Sequence, residues 1–114
     1  MKLAIVGSRY FTDYDLFKSK LSEFNLTDIE LIISGGAKGA DKLAQRYAKD
    51  NNIKMKVFEA DWNGYGKAAG PRRNTLIVKN CTHLIAFKAK DSIGTLDSIR
   101  KANFYKKDVI VFDI

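Results

Sequence analysis

Five short apolar runs alternate with four amphipathic segments along the chain. The apolar runs, which we interpret as strands, cover residues 3–6, 31–33, 53–58, 84–87 and 109–112. The amphipathic segments cover residues 13–24, 40–48, the stretch that begins at Pro71, and 94–104. The segment 40–48 is the clearest helix, because its apolar residues recur at intervals of three and four. Strands that alternate with helices through short links predict an α/β fold.

The character of each run predicts its place in the sheet. Most runs are nearly continuous, which is typical of parallel strands covered on both faces. The run 53–58 alternates apolar residues with lysines, which favours an edge strand with one wet face. We predict a single domain over 1–114, a three-layer sandwich whose five-stranded, mainly parallel sheet has the order 3-2-1-4-5. Ligands bind such sheets at the carboxyl ends of the strands, where the strand order reverses, here between strands 1 and 4.

Composition restricts the chemistry more than the fold. A chain of 114 residues, 46% of them hydrophobic, is long enough to bury a core. The lone cysteine, Cys81, cannot form an internal disulfide, and one histidine leaves no Cys/His cluster for zinc. No run is long enough to cross a bilayer, and the first apolar run is too short for a signal peptide. We therefore expect a cytoplasmic protein with no metal, no cofactor and no membrane partner.

The net charge of +7 is unevenly distributed. Residues 1–50 contain eight Lys/Arg and seven Asp/Glu, whereas residues 51–114 contain twelve and six. Such an excess favours anionic partners, among them nucleotides and nucleic acids. A solvated basic surface without any partner would have the same composition.

A glycine-rich stretch joins the second strand to the clearest helix. It consists of Ser34, Gly35, Gly36, Ala37, Lys38, Gly39, Ala40 and Asp41. Glycines let the backbone approach a ligand closely, and the first amides of a helix attract anions such as phosphate. The same glycines would also form a tight turn without a ligand. Asp41 either orients Lys38 or a ribose hydroxyl, or only stabilises the first helical turn.

Two adjacent arginines, Arg72 and Arg73, follow Pro71 at the predicted start of the third helix. Cations at a helix amino terminus are unfavourable by up to about 1 kcal/mol each. The pair therefore indicates an anion shared with the helix amides, unless the arginines are solvated or paired with Asp61 or Glu59. Asn74 is a candidate for reading a ribose or a base, or for capping its own helix.

The loops that leave strands 1 and 4 add candidates at the same edge of the sheet. Gly7, Ser8 and Arg9 follow strand 1, and Gly94 and Thr95 follow strand 4. We expect the phosphate to be bound by Arg9, Lys38, Arg72 and Arg73, with the backbone of Gly35 and Gly36 around it.

Two common nucleotide-binding motifs are absent. The chain has no G-x-x-x-x-G-K-[ST], which excludes a P-loop NTPase, and no G-x-G-x-x-G after strand 1, which argues against a dinucleotide-binding dehydrogenase. Trp62 and Tyr65 would either stack on a base or cover the edge of the core.

Several motifs occur together in a characteristic order. They are Gly7-Ser8-Arg9, the stretch 34–41, Ala60-Asp61-Trp62, the stretch 66–74 with its Pro-Arg-Arg-Asn, and Gly94-Thr95. Together they resemble the SLOG superfamily, specifically its YspA/cpYpsA-related branch, over essentially the whole chain. The resemblance implies a Rossmann-like domain that binds a nucleotide or a nucleotide-derived ligand between the glycine-rich turns and the Pro-Arg-Arg-Asn segment.

Two groups of SLOG relatives imply alternative functions. The lonely-guy phosphoribohydrolases carry P-G-G-x-G-T-x-x-E after the fourth strand, and the corresponding stretch 90–98 lacks the first two glycines. Ser98 occupies the position of the catalytic Glu, and Asp97 is about 100° away around a helix, so hydrolysis of a nucleoside monophosphate is the less favoured alternative. The DNA-processing proteins of natural transformation bind single-stranded DNA and have segments similar to 34–41 and 71–74. Single-stranded DNA binding is therefore the other alternative.

The last strand, 109–112, is very apolar for the margin of a sheet. Nothing after Ile114 would cover it, and a bare apolar edge invites pairing. Either helices cover its faces or a second copy does. Because SLOG relatives are commonly dimeric, we expect a homodimer.

Overall fold

The computed structural model describes residues 1–90 and 92–114. Within these residues, five strands form one sheet: β1 (Lys2–Gly7), β2 (Leu31–Ser34), β3 (Met55–Val57), β4 (His83–Lys88) and β5 (Asp108–Asp113). Their order is β3-β2-β1-β4-β5, and each neighbouring pair is parallel. The predicted strand order and the Rossmann-like α/β fold are thereby confirmed.

The described part of the chain contains five α-helices: α1 (Tyr14–Leu21), α2 (Ala40–Asp50), α3 (Trp62–Tyr65), α4 (Ala69–Asn80) and α5 (Ile93–Phe104). Short 3-10 turns lie at Leu26–Asp28 and Gly66–Ala68. None of the described helices combines the length and the apolar character needed to span a membrane.

Two apolar clusters hold the helices against opposite faces of the sheet. On one face, the rings of Phe17 and Phe87 stack with centroids 5.0 Å apart, and Tyr47 meets Phe17 edge-on, which joins α1 and α2 to β4. On the other face, Ile77 of α4 and Ile99 of α5 pack with residues of β1, β2 and β4. Burying two such apolar layers is the main driving force for this three-layer arrangement.

The region between β3 and α4 differs from the prediction. The sequence predicted a loop here and a helix that begins at Pro71, but α4 begins at Ala69 and α3 precedes it. The 3-10 turn runs directly into α4, with the Ala69 N–H donating to the Gly66 carbonyl. Proline is compatible with the third helical position, because the first four amides have no partner within a helix. Asp61 caps α3 by accepting a hydrogen bond from the Gly64 N–H at 2.9 Å.

The loops at the carboxyl edge of the sheet are tied to one another through backbone hydrogen bonds. The Ser8 N–H donates to the Phe87 carbonyl at 2.9 Å, and the Ala40 N–H donates to the Ser8 carbonyl at 3.1 Å. The loop after β1 is therefore anchored to β4 on one side and to the start of α2 on the other.

Candidate functional site

A cleft of about 660 Å³ opens at the carboxyl edge of the sheet, beside the ends of β1 and β4. Its wall is formed by the loops after β1, β2 and β4 and by the beginnings of α4 and α5. The volume is typical of a small-molecule pocket. The cleft lies where the strand order reverses, which is where ligands bind in open α/β sheets.

The cleft brings together nine of the fourteen candidate ligand residues, from all four segments that the sequence singled out. They are Gly7, Ser8, Arg9, Gly35, Asp41, Arg73, Asn74, Gly94 and Thr95.

The other five candidates do not line the cleft: Ser34, Gly36, Lys38, Gly39 and Arg72. Ser34 is completely buried at the end of β2, and Lys38 is exposed on the turn that follows. The Arg72 guanidinium stacks on the Tyr65 ring, 4.0 Å from its centroid. The structure therefore separates Lys38 and Arg72 from Arg9 and Arg73, with which we expected them to share a phosphate.

Gly39 has a conformational role rather than a place in the cleft wall. Its φ is +73°, and a Cβ there would overlap the backbone of Ser8 and Arg9. Only glycine adopts this conformation at little cost while allowing the two backbones to meet. Gly39 therefore allows α2 to begin directly against the loop after β1.

Asp41 closes the glycine-rich turn from inside. Its side chain is only 6% exposed, and Oδ2 accepts a hydrogen bond from the Ala37 N–H at 3.0 Å. Burial raises the pKa of this carboxyl above its ordinary value of 3.8, although the Ala37 and Gly35 amides and the Arg73 charge act in the opposite direction. The Ala37 amide is thus already bound to a carboxylate and is not open to a phosphate.

Arg73 bridges the glycine-rich turn and α4. Its Nη1–H donates to the Gly35 carbonyl at 2.8 Å, and its Nε–H donates to Asn74 Oδ1 at 3.0 Å. A Cβ at Gly35 would overlap Nη1, so the guanidinium occupies the space that a side chain would take there. A guanidinium has five N–H donors, and the remaining donors are available to a ligand in the cleft.

Asn74 connects α4 to α5 instead of capping its own helix. Its Nδ2–H group donates to Asp97 Oδ2 at 3.0 Å and, more weakly, to the Gly94 carbonyl at 3.4 Å. The same Asp97 oxygen accepts a hydrogen bond from Lys101 Nζ at 2.8 Å. Asp97 is therefore committed to these two partners, whereas Ser98 lines the cleft.

Exposed aromatic and aliphatic side chains surround the mouth of the cleft. Tyr10, Trp62 and Ile93 line it although 83%, 61% and 84% of their surfaces are exposed. The Trp62 ring lies against α4, where a Cβ at Gly70 would be 3.3 Å from it. The sequence did not single out Tyr10 or Ile93, because the only signal of either is a large apolar side chain beside a glycine or arginine motif.

The charge of the cleft wall is predominantly positive. Its described residues include three cations, Arg9, Arg73 and Lys90, and one carboxylate, Asp41. The first turn of α5 adds the positive end of a helix dipole. Ser92, the N-cap residue of α5, accepts a hydrogen bond from the Ala89 N–H and does not cap the helix through its side chain.

Sequence comparison identifies two similarities. The sequence profile of the YspA, cpYpsA-related SLOG family matches residues 1–65. The Gene 61 protein of Mycobacterium phage D29 is 32% identical over 89% of this chain and 87% of that protein.

Structural comparison identifies the same fold in larger proteins. DNA processing protein A of Streptococcus pneumoniae superposes with a TM-score of 0.77 at 24% identity, over 96% of this chain and 49% of that one. DNA processing protein A of Helicobacter pylori, described by its single-stranded DNA binding mode, superposes with a TM-score of 0.74 at 22% identity. The superposition covers 97% of this chain and 64% of that one. TM1055 superposes with a TM-score of 0.70 at 16% identity, over 95% of this chain and 71% of that one. The chain thus spans about half to two thirds of the two DNA processing proteins, and at these identities the likeness concerns the fold.

Proposed function

Because the chain belongs to the YspA, cpYpsA-related SLOG family, we propose that residues 1–114 act as one domain that binds a nucleotide or a nucleotide-derived ligand. The ligand would occupy the cleft beside β1 and β4. The observation that carries this proposal is the make-up of the cleft wall: three cations, one buried carboxylate and an exposed indole around about 660 Å³. We propose the cytoplasm, where nucleotides are available, as its location.

Each part of a nucleotide has a counterpart in the cleft wall. Arg9 and Arg73 provide planar donors that suit phosphate oxygens, and the first-turn amides of α5 favour negative charge. Trp62 provides a flat apolar surface at the mouth, on which a base would stack. Lys38 and Arg72 have no part in this arrangement, because neither lines the cleft.

A nucleotide panel tests the proposal directly. We expect at least one nucleoside mono-, di- or triphosphate, or a nucleotide derivative, to bind in calorimetry and to raise the melting temperature. Arg9→Ala should weaken that binding about tenfold or more, the loss of one charge-assisted hydrogen bond. Arg9 suits the test because its side chain is exposed, so that its removal should leave the fold intact.

Arg72→Ala is the matched control, since Arg72 is held against Tyr65 outside the cleft. It removes the same charge and should leave nucleotide affinity unchanged. Absence of binding by the whole panel at millimolar concentration, or equal losses in the two variants, would refute the proposal.

Single-stranded DNA is a second candidate, supported by the likeness to the Helicobacter pylori protein. Tyr65 lies one turn from Trp62 on α3, and Arg72 stacks on it, so an aromatic and a cation continue from the mouth of the cleft. Such pairs suit a polymer better than a mononucleotide. In the same titrations, a labelled oligonucleotide would bind more weakly as the salt concentration rises. Arg72→Ala would then lower the affinity for the oligonucleotide without lowering the affinity for a mononucleotide.

Hydrolysis of a nucleoside monophosphate has less support from the geometry. Cleavage of the glycosidic bond passes through a cationic sugar that a nearby carboxylate stabilises. Asp97 is committed to Asn74 and Lys101, and Ser98 lines the cleft instead. Asp41 is the one carboxylate among the described residues of the cleft wall, and its Oδ2 is already engaged by the Ala37 amide.

A further inference from the structure

We infer that the cleft selects ribonucleotides over deoxyribonucleotides, with Asp41 as the acceptor for the sugar hydroxyl groups. The inference rests on the proposed function, because it assigns one part of the same ligand to one residue of the same cleft. It goes further by defining the chemical class of nucleotide.

The cleft wall contains many hydrogen-bond donors and few charged acceptors. Arg9, Arg73 and Lys90 are pure donors, and the first-turn amides of α5 are donors as well. Asp41 is the one charged acceptor among the described lining residues. A ligand group beside it must therefore donate hydrogen bonds, which a phosphate at neutral pH cannot do well.

The hydrogen bonds of Asp41 leave acceptor capacity free. A carboxylate offers about four acceptor positions. Oδ2 receives the Ala37 N–H at 3.0 Å, and the Gly35 amide lies close enough to stabilise the charged form. These bonds fix the orientation of the group without saturating it, so that a pair of hydroxyl groups finds an immobile acceptor.

The charge balance favours hydroxyl donors over other groups. A second anion next to a buried carboxylate would be repelled, and the adjacent Arg73 already provides the compensating positive charge. Neutral hydroxyl groups form strong hydrogen bonds to a carboxylate without adding charge to the cleft. The use of a carboxylate to bind ribose hydroxyl groups is also a general device of nucleotide-binding α/β folds.

The test compares the 5′-monophosphates of adenosine, guanosine, cytidine and uridine with their 2′-deoxy counterparts by calorimetry. The wild-type protein should bind at least one ribonucleotide about tenfold or more tightly than its deoxy form, the loss expected when a hydrogen bond to a charged acceptor is missing. In Asp41→Asn the ratio should fall close to one. Asparagine retains an oxygen for the Ala37 N–H but removes the charge.

Asp50→Asn is the control, because it removes the same charge from the exposed carboxyl end of the same helix. Its preference for ribonucleotides should equal that of the wild type. Equal affinities for ribo and deoxy forms in the wild type would overturn the inference and leave the proposed function standing. A preference that survives in Asp41→Asn would overturn the role of Asp41. Failure of the eight monophosphates alone would overturn the inference and leave the proposed function standing, whereas failure of the whole nucleotide panel would overturn both.

Discussion

Burial of the Asp41 carboxyl group disfavours its charged form. Its pKa is raised, chiefly by desolvation, so the folded state binds this proton more tightly than the unfolded state does. The resulting stability is fully present below the ordinary pKa of 3.8 and is lost as the pH rises through the folded value. At neutral pH, the ionised side chain therefore makes folding less favourable.

The raised pKa of Asp41 predicts that Asp41→Asn is more stable than the wild type at pH 7. The gain should shrink as the pH falls towards the ordinary pKa of 3.8, below which the carboxyl is protonated in both the folded and the unfolded state. Urea unfolding at a series of pH values measures the difference. A variant that is less stable at every pH would show that the carboxylate stabilises the glycine-rich turn more than its burial costs.

Residue types alone predicted which segments line the cleft, because glycines, arginines and hydroxyl residues cluster in the loops of one sheet edge. They did not predict where each side chain points. Arg72 and Arg73 are neighbours in sequence, yet one stacks on Tyr65 and the other crosses to the Gly35 carbonyl. Adjacent residues of a helix differ by about 100° in direction, and only the tertiary contacts decide which of them faces the cleft.

Among the elements, the turn between β2 and α2 has the strictest backbone requirement. Gly39→Ala should destabilise the protein by about 2 kcal/mol or more, because it combines positive φ with overlap against the Ser8 and Arg9 backbone. Gly94→Ala is the comparison, since a Cβ there meets open space at the start of α5. It should be neutral or stabilising by up to about 1 kcal/mol. Chemical denaturation measures both, and equal effects would contradict the argument.

The sheet could be predicted from the sequence because its strands are distinctive. Continuous apolar runs in β1, β2 and β4 and the alternating lysines near β3 indicated which strands are central and which is at an edge. The helix α3 and the early start of α4 could not be predicted, because three glycines within the stretch 61–70 favour a loop. There the Asp61 cap and the packing of Trp62 on Gly70 outweigh the weak helical propensity.

At the scale of the whole molecule, two surfaces are available to a second copy. The edge strand β5 exposes Val111, and the end of α5 exposes the Phe104 ring, which meets Tyr105 edge-on with a centroid distance of 5.1 Å. Antiparallel pairing of β5 with itself over its full length would place Asp108 of one copy opposite Asp113 of the other. Like charges opposite each other destabilise such a pair, so the helical surface is the better candidate.

We propose that the protein forms a homodimer through this helical surface. Light scattering should give a mass near twice 12.8 kDa that falls on dilution. Phe104→Asp should give a monomer, whereas Val111→Asp, which places the same charge on β5, should leave the dimer intact. A wild-type monomer over a wide concentration range would refute the proposal, and dissociation by Val111→Asp alone would assign the contact to β5.

The contact between Gly35 and Arg73 joins positions 38 residues apart, and it has a consequence for how the sequence can drift over time. A side chain acquired at position 35 would displace the guanidinium, so such a change should persist only where position 73 changes as well. A descendant that lost the arginine first would be free to vary at position 35. Positions 35 and 73 are therefore expected to covary among related sequences, although they are far apart in the chain.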